Sequence, residues 1–477
     1  MTDNKPGAGW RTETDLLGSM QLDNRLYYGI QTQRAVDNFS LTGIPISHFP
    51  QLINALAMVK SASAKANAEL GLISEDKQAC IVAACEEIVA GKLHQHFVVD
   101  LIQGGAGTST NMNANEVIAN RALELMGEQK GAFIHLHPNN DVNCSQSTND
   151  VYPTAVRLGL IFACGPLISA IDDLCAALQA RAVEFSDVLK MGRTQLQDAV
   201  PMTLGQEFGA FADTLGEDVS RIREITGFLS EVNLGGTAIG TGINTPLTYA
   251  ECAIAHLSDV SGIEMKLASN LVEATSDMGA FVLLSGILKR FAVKLSKICN
   301  DLRLLSSGPR AGFNEIELPA MQPGSSIMPG KVNPVIPEAV NQVAYQVIGN
   351  DLAVTMAAEA GQLQLNAMEP LITYNLFNSM RMLSSAMQML ETRCIRGIEA
   401  NRGQCTRHVT NSIGIVTALN PYIGYENATR IAKRALAEER GVVELVLEEK
   451  LIAPGELDQI LHPDALIQPG GSASPAG

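Results

Sequence analysis

Aromatic side chains are scarce in this sequence: one Trp, eight Tyr and thirteen Phe make up 5% of 477 residues, although 46% are hydrophobic. Packing therefore falls to Ala, Leu, Ile, Val and Met, a palette that suits helix against helix. Basic residues are also in deficit, 34 against 50 acidic, for a formal charge of −16. With no clustered Lys/Arg stripe to meet a phosphate backbone, nucleic acid is not an expected partner. The nine cysteines (80, 85, 144, 164, 175, 252, 299, 394, 405) are odd in number, scattered and never spaced CxxC. That pattern speaks against a disulfide framework and a zinc knuckle. The longest apolar run, Leu158 to Ile171, has 14 residues and contains Gly165 and Pro166, and Met1 to Trp10 is polar. No membrane span and no export signal are expected from this, and a cytoplasmic location is.

Familiar nucleotide and hydrolase signatures are missing too. The stretch Gly235 to Gly242 has the wrong glycine spacing for GxGxxG, and there is no GxSxG. Two HxH pairs, His94/His96 and His135/His137, lack a Cys or Glu at ligand spacing beside them. They read as structural histidines, and no metal site is expected.

What is present is helical patterning. Residues 51 to 92 and 114 to 128 read as helices, interrupted by a Gly/Thr/Ser/Asn-rich loop from Gly104 to Asn113. From about Pro153 the pattern lengthens. Leu284, Leu288, Phe291, Leu295, Ile298, Leu302 and Leu305 step by four and three, a seam that needs another helix against it. A further long helix is expected from about Pro337 to Gly361, opened by Pro334 and Pro337. Alternating β-branched runs are absent, so the expected fold is all-α: a mainly helical domain over 1–147, a central long-helix bundle over 148–395, and a small helical domain over 396–477. The Gly/Ser/Pro/Ala tail from Gln468 to Gly477 is expected to be disordered.

The most unusual segment is Gly324-Ser325-Ser326-Ile327-Met328-Pro329-Gly330-Lys331-Val332-Asn333-Pro334. It is not a Walker A loop, because Gly-Lys comes one residue late and Val332 follows the lysine. It combines two hydroxyls, flexible glycines, a cation and an amide just before a helix, which is a kit for holding an anion and removing a proton. Three other loops concentrate hydroxyls and amides ahead of helical sequence: 104–111 with Thr108, 145–150 with Ser147, Thr148 and Asn149, and 192–195 with Thr194 and Gln195. One capping side chain per helix would suffice. The surplus suits a dicarboxylate pocket.

The 324–334 loop closely resembles the signature of the aspartase/fumarase superfamily, and the resemblance covers nearly the whole chain. Ile-Met-Pro-Gly-Lys-Val-Asn-Pro is similar to the form shared by aspartases and class II fumarases, unlike argininosuccinate and adenylosuccinate lyases. The segment Gly361 to Pro370, with Gln364-Leu365-Asn366 and Glu369, looks like the aspartase version, as do Tyr27-Tyr28-Gly29, Met191 to Pro201 and Asn411 to Thr417.

The resemblance implies a homotetramer whose central helices form a multi-helix core and bring loops from three subunits into each site. It implies reversible elimination of ammonium from L-aspartate to fumarate, with no cofactor required for the chemistry and possible activation by Mg²⁺. By the same resemblance Ser325, as its alkoxide, is the base that removes the β-proton, and Lys331 and Asn333 hold a carboxylate. Thr108, Ser147, Thr148, Asn149 and Thr194 grip carboxylates and ammonium, and Ser326 helps stabilise the aci-carboxylate intermediate. Gln195 stands where fumarases and some aspartases carry a histidine paired with a glutamate matching Glu338. Loss of that relay suits an ammonium leaving group, which needs no proton, whereas a departing hydroxide does. The alternatives are a class II fumarate hydratase and a non-catalytic relative of the lens-crystallin kind, the latter opposed by the intact Ser325, Lys331 and Asn333. A weakly basic serine needs positive, water-free surroundings, so the 324–334 loop is expected to close.

Overall fold

A computed structural model describes residues 9–324, 326–462 and 465–466. The protein is mostly helical, as its composition predicts. The long helices are Pro50–Glu69, Thr108–Leu125, Thr148–Glu184, Leu204–Leu229, Gly279–Leu305, Val335–Glu359 and Glu369–Arg393. By contact density the chain divides into two units, and the division falls inside several of these helices.

The first unit takes the described residues of Met1–Ile168, Ser220–Arg290 and Tyr345–Leu383. Small residues let its helices approach closely. A Cβ on Gly159 of the Thr148–Glu184 helix would lie 2.9 Å from the Phe377 ring and 3.2 Å from the Gln51 carbonyl, so bulk there is excluded. Asp351 accepts from Ser285 Oγ at 2.8 Å and from Lys289 Nζ at 2.5 Å, tying Val335–Glu359 to Gly279–Leu305. The second unit takes Ser169–Val219, Phe291–Ala344 and the described residues of Ser384–Gly477. Here Asn341 Nδ2 donates to the Ser296 carbonyl at 3.0 Å, and Lys294 pairs with the buried Asp218 at 2.8 Å. A separate core of Met191, Val409, Leu419, Ile431, Leu445 and Leu457 forms around the last helices.

Several sequence expectations shift. The 51–92 helix is two, Pro50–Glu69 and Glu75–Val89, because Gly71 takes a left-handed φ of +72° and Ser74 caps the second. The helix expected from 114 begins at Thr108, since polar Thr110, Asn111, Asn113 and Asn115 are buried in its first turns instead of forming a loop. Val335–Glu359 starts two residues before Pro337, which sits comfortably in the first turn. The chain also carries short strands. Trp10–Asp15 pairs antiparallel with Gly18–Asp23, and Leu189–Thr194 with Gln197–Thr203. Glu231–Val232 pairs parallel with Lys266–Leu267, and Ile316–Glu317 antiparallel with Glu399–Ala400.

The seam residues Leu284, Leu288, Phe291, Leu295, Ile298, Leu302 and Leu305 are all at most 5% exposed. That seam is closed within the chain and does not await a partner subunit. Thr148–Glu184 is, by length and composition, apolar enough to cross a membrane, unlike the 14-residue run inside it, because helix continues through Pro153 and Pro166. Its Val151, Tyr152, Val156, Leu160, Leu167 and Leu174 are packed as core, and 61% of its most apolar window is buried. All nine cysteines are free thiols. One histidine of each HxH pair makes a structural hydrogen bond: His94 Nε2 bonds the Ile88 carbonyl, and His137 Nδ1 accepts from the backbone N–H of Asn139 and Asn140. The tail expected to be disordered lies outside the described residues.

Candidate active site

In the first unit the sequence-predicted residues Thr108, Ser147, Thr148 and Asn149 gather at two helix N-termini. Gly107, with φ +90°, precedes Thr108 and packs on Tyr152, where a Cβ would lie 2.4 Å from the ring. Only glycine satisfies both the backbone and the contact. One turn on, Asn111 Nδ2 donates to Thr148 Oγ1 and to Asn143 Oδ1, both at 3.1 Å, which ties the start of Thr108–Leu125 to that of Thr148–Glu184. Thr108 Oγ1 donates to the Gly105 carbonyl at 2.6 Å.

Ser147 and Asp150 brace this helix start: Asp150 Oδ1 accepts the Ser147 N–H at 2.9 Å, and Ser147 Oγ accepts the Asn149 N–H at 3.3 Å. The other oxygen of Asp150 accepts the N–H groups of Gly235 and Thr237 at 3.0 and 2.9 Å, drawing the 235–237 turn against the 147–149 loop. Asn149 Nδ2 donates to the Ala238 carbonyl at 2.8 Å, and Asn233 Nδ2 donates to the Asn149 carbonyl at 3.0 Å. Burial pushes the Asp150 carboxyl up to about 6, against the pull of those N–H donors and of Lys60.

Lys60 is fully buried and donates from Nζ to Asn143 Oδ1 and Gln146 Oε1, both at 2.9 Å. Burial pushes its ammonium down to about 7, opposed by Asp150 and Cys85. Lys60 and Asn143 escaped the sequence reading, while Asn111, Asp150 and residues 235–238 lay in segments it quoted without giving them individual roles. Two signals were available: the Ser-x-x-Asp spacing at 147–150, and a lysine interrupting the small and apolar face of Leu52 to Ala66.

A cavity of about 590 Å³ beside this cluster is bordered by Arg34, Ser109, Glu116 and His137, and none of the four predicted residues lines it. Glu116 accepts from the N–H groups of Gly29, Gln31 and Thr32, while burial lifts its carboxyl to about 7. A Cβ on Gly29 would sit 2.5 Å from Glu13 and 2.8 Å from Glu116, which explains the glycine of Tyr27-Tyr28-Gly29.

The remaining predicted residues lie in the second unit. Thr194 and Gln195 are at the exposed tip of the Leu189–Thr194/Gln197–Thr203 hairpin. Gln195 and Leu196 form its two-residue turn in left-handed conformation, φ +53° and +61°, which ordinarily calls for Asn or Gly. Ala106 and Ser145, in two other polar loops, are left-handed as well, at +54° and +60°. Strain of this kind concentrates at functional loops.

A buried charge cluster underlies the hairpin. Glu315, 0% exposed, accepts from Arg193 Nη1 at 2.8 Å, lies 3.0 Å from Lys190 Nζ, and bonds His408 Nδ1 at 2.8 Å. Burial alone would raise its carboxyl pKa; Lys190, His408 and Arg193 hold it below the ordinary value.

Ser326, Lys331 and Asn333 belong to the loop before Val335–Glu359. A Cβ on Gly324 would meet the Lys331 carbonyl oxygen at 2.0 Å, so the two ends of the 324–331 segment touch through backbone. The Lys331 N–H donates to the Met328 carbonyl at 3.2 Å, and Gly330 has φ +83°. Ser326 and Lys331 are exposed, Asn333 half-buried, and Ile327 is 87% exposed. Ser325 lies outside the described residues.

In the first unit, the helix start rich in hydroxyls and amides over a buried lysine is suited to holding a small anion; in the second, the left-handed hairpin tip and the loop of Lys331 carry the other predicted residues. The sequence profile described as "Lyase" matches residues 18–349, and that described as "Fumarase C C-terminus" matches 415–468. The chain belongs to this lyase family, the aspartase/fumarase superfamily. Within it, the chain falls among the aspartate ammonia-lyases. It is 65% identical to that of Pseudomonas fluorescens over 97% of both chains, and 53% identical to that of Escherichia coli K12 over 97% of both. Among solved structures, a fumarate lyase:delta crystallin from Brucella melitensis bound to cobalt superposes with a TM-score of 0.94 at 59% identity, covering 96% of this chain and 100% of that one. A class II fumarase from Schistosoma mansoni gives 0.88 at 35%, covering 95% and 98%.

Proposed function

We propose that this protein is a carbon–nitrogen lyase that reversibly eliminates ammonium from L-aspartate to give fumarate. The observation that carries this reading is near-full-length identity of 53–65% to aspartate ammonia-lyases, against 35% to a fumarase. In the proposed mechanism Ser325, ionised, takes the β-proton. Lys331 and Asn333 meet the carboxylate that becomes the doubly negative aci-form, with Ser326 beside it. Thr108, Ser147, Thr148, Asn149 and Thr194 hold the remaining carboxylate and the ammonium. That proton is so weakly acidic that preorganised donors must supply most of the stabilisation. The glycines at 324 and 330 support a loop that closes to exclude water. Gln195 takes a positioning place, since ammonium leaves without an acid.

No organic cofactor enters this chemistry, and Mg²⁺ acts, if at all, as an activator. The active form is a cytoplasmic homotetramer, its subunits organised as domains 1–147, 148–395 and 396–477. Support for assembly comes from a solvent-facing apolar stripe on Val335–Glu359: Tyr345, Leu352 and Met356 are 56%, 62% and 64% exposed. Gly349, in the same stripe, has open space where a Cβ would stand.

The test follows fumarate absorbance on adding L-aspartate, then L-malate, to the chelator-treated protein. Fumarate from aspartate alone is expected. Fumarate from malate alone would identify a hydratase, and none from either would favour a non-catalytic relative.

A further inference from the structure

The first unit carries a mixed cluster that the proposed chemistry does not use. Cys252 and His256 stand four residues apart on the Tyr249–Ser261 helix, so they share a face. Glu69 ends the Pro50–Glu69 helix, which packs against it. Cys252 Sγ donates to Glu69 Oε2 at 3.3 Å, and His256 Nε2 lies 2.9 Å from the same oxygen. One ligand atom from each residue lies within 4.8 Å of the other two.

These separations are close to those of a metal tripod. Zinc binds nitrogen and oxygen at about 2.0–2.2 Å and sulfur at about 2.3 Å, so tetrahedral ligand atoms stand roughly 3.3–3.6 Å apart. The two hydrogen-bonded edges need to open by less than about 1 Å, which side-chain rotation supplies while both helices stay fixed. As a plain hydrogen-bond cluster the arrangement does little for stability, because the Glu69 side chain is 62% exposed.

We propose that Glu69, Cys252 and His256 form a three-ligand site for a thiophilic divalent cation of the zinc class, with water in the fourth position. Cys252 enters as thiolate: the cation forms a metal–sulfur bond, the S–H bond breaks, and the proton leaves to solvent. Metal binding is therefore linked to release of one proton. The sulfur and nitrogen donors select against Mg²⁺, which favours all-oxygen ligands. The bound ion fastens two helices of the first unit to each other.

The test uses the full chain, stripped with chelator and titrated with Zn²⁺ against a chromophoric indicator, and in parallel with Co²⁺. One equivalent per chain is expected, with a thiolate-to-cobalt charge-transfer band and the intense visible bands of tetrahedral cobalt. Cys252→Ser should remove the charge-transfer band and weaken binding at least about 10–100-fold. His256→Ala should weaken it likewise, and provides the same readout should the cysteine variant fail to fold. Zn²⁺ should raise Tm of the parent and not of either variant, and metal-free turnover should be unchanged. Absence of a stoichiometric site, or a charge-transfer band surviving in Cys252→Ser, overturns the proposal.

Discussion

Lys60 is fully buried and gives up hydration to place its ammonium against the 143–146 turn. Its two acceptors are side-chain amides, Asn143 and Gln146, which also set the loop carrying Ser147, Thr148 and Asn149. Asn143 keeps Asn111 and Asn115 as donors if the lysine is removed. Lys60→Met is therefore expected to fold, and to lower kcat/KM for L-aspartate by about 10²-fold through misplaced substrate contacts. Stability should move the other way, with a defined pH dependence. The folded-state pKa of about 7 is below the ordinary 10.5. Burying the ammonium thus costs stability in full below pH 7, a cost relieved as pH rises toward 10.5. The Tm advantage of Lys60→Met should be largest at or below pH 7 and shrink through that window. An advantage that grows with pH would contradict the burial argument. Ser325→Ala separates chemistry from binding: a loss of at least about 10²–10⁴-fold in kcat with unchanged circular dichroism is expected. Near-parental turnover would remove Ser325 as the base.

At the scale of elements, the 189–203 hairpin stands on charge. Glu315→Ala leaves Lys190, Arg193 and His408 around an empty carboxylate position, and should destabilise by about 3–5 kcal/mol, measured by denaturant unfolding. The acid dependence has a fixed sign. The folded-state pKa of Glu315 lies below the ordinary 4.5, so its contribution is complete above that value and lost as pH falls through the lowered pKa. Parent and Glu315→Gln should therefore converge in stability only on the acid side of about pH 4.5. Gln195→Gly tests the turn itself. Relief of the left-handed strain should stabilise by up to about 1 kcal/mol, while kcat/KM falls if the side chain positions substrate.

These elements also mark how far the sequence could be read. Long helices were legible because apolar residues recur at their spacing, and the polar loops because hydroxyls and amides exceed what capping requires. The hairpin was not legible, since Lys190-Met191-Gly192-Arg193 lacks period-two alternation and its turn residues are atypical. Nor were the supports of the site. Lys60 bonds Asn143 and Gln146 across more than 80 residues of chain, within the field of Asp150, and Glu315 gathers partners from 190, 193 and 408. No local pattern reports that convergence. The start of Thr108–Leu125 was misplaced because its buried polar residues read as loop.

At the scale of the whole molecule, the apolar stripe of Val335–Glu359 decides whether one chain suffices. The 284–305 seam is already filled from within, so assembly must use other surface. Tyr345, Leu352 and Met356 are spaced by seven and four, which keeps them on one face, and Gly349 between them permits a second helix to come close. The double variant Leu352→Glu/Met356→Glu places like charges along that face without touching a buried residue. Light scattering after size exclusion should give four chains for the parent and fewer for the variant, with helical content unchanged. If each site draws loops from three subunits, turnover must disappear together with the tetramer and return in proportion to any tetramer that re-forms at high protein concentration. A dispersed variant that still converts aspartate to fumarate at the parental rate would mean that each chain carries a complete site.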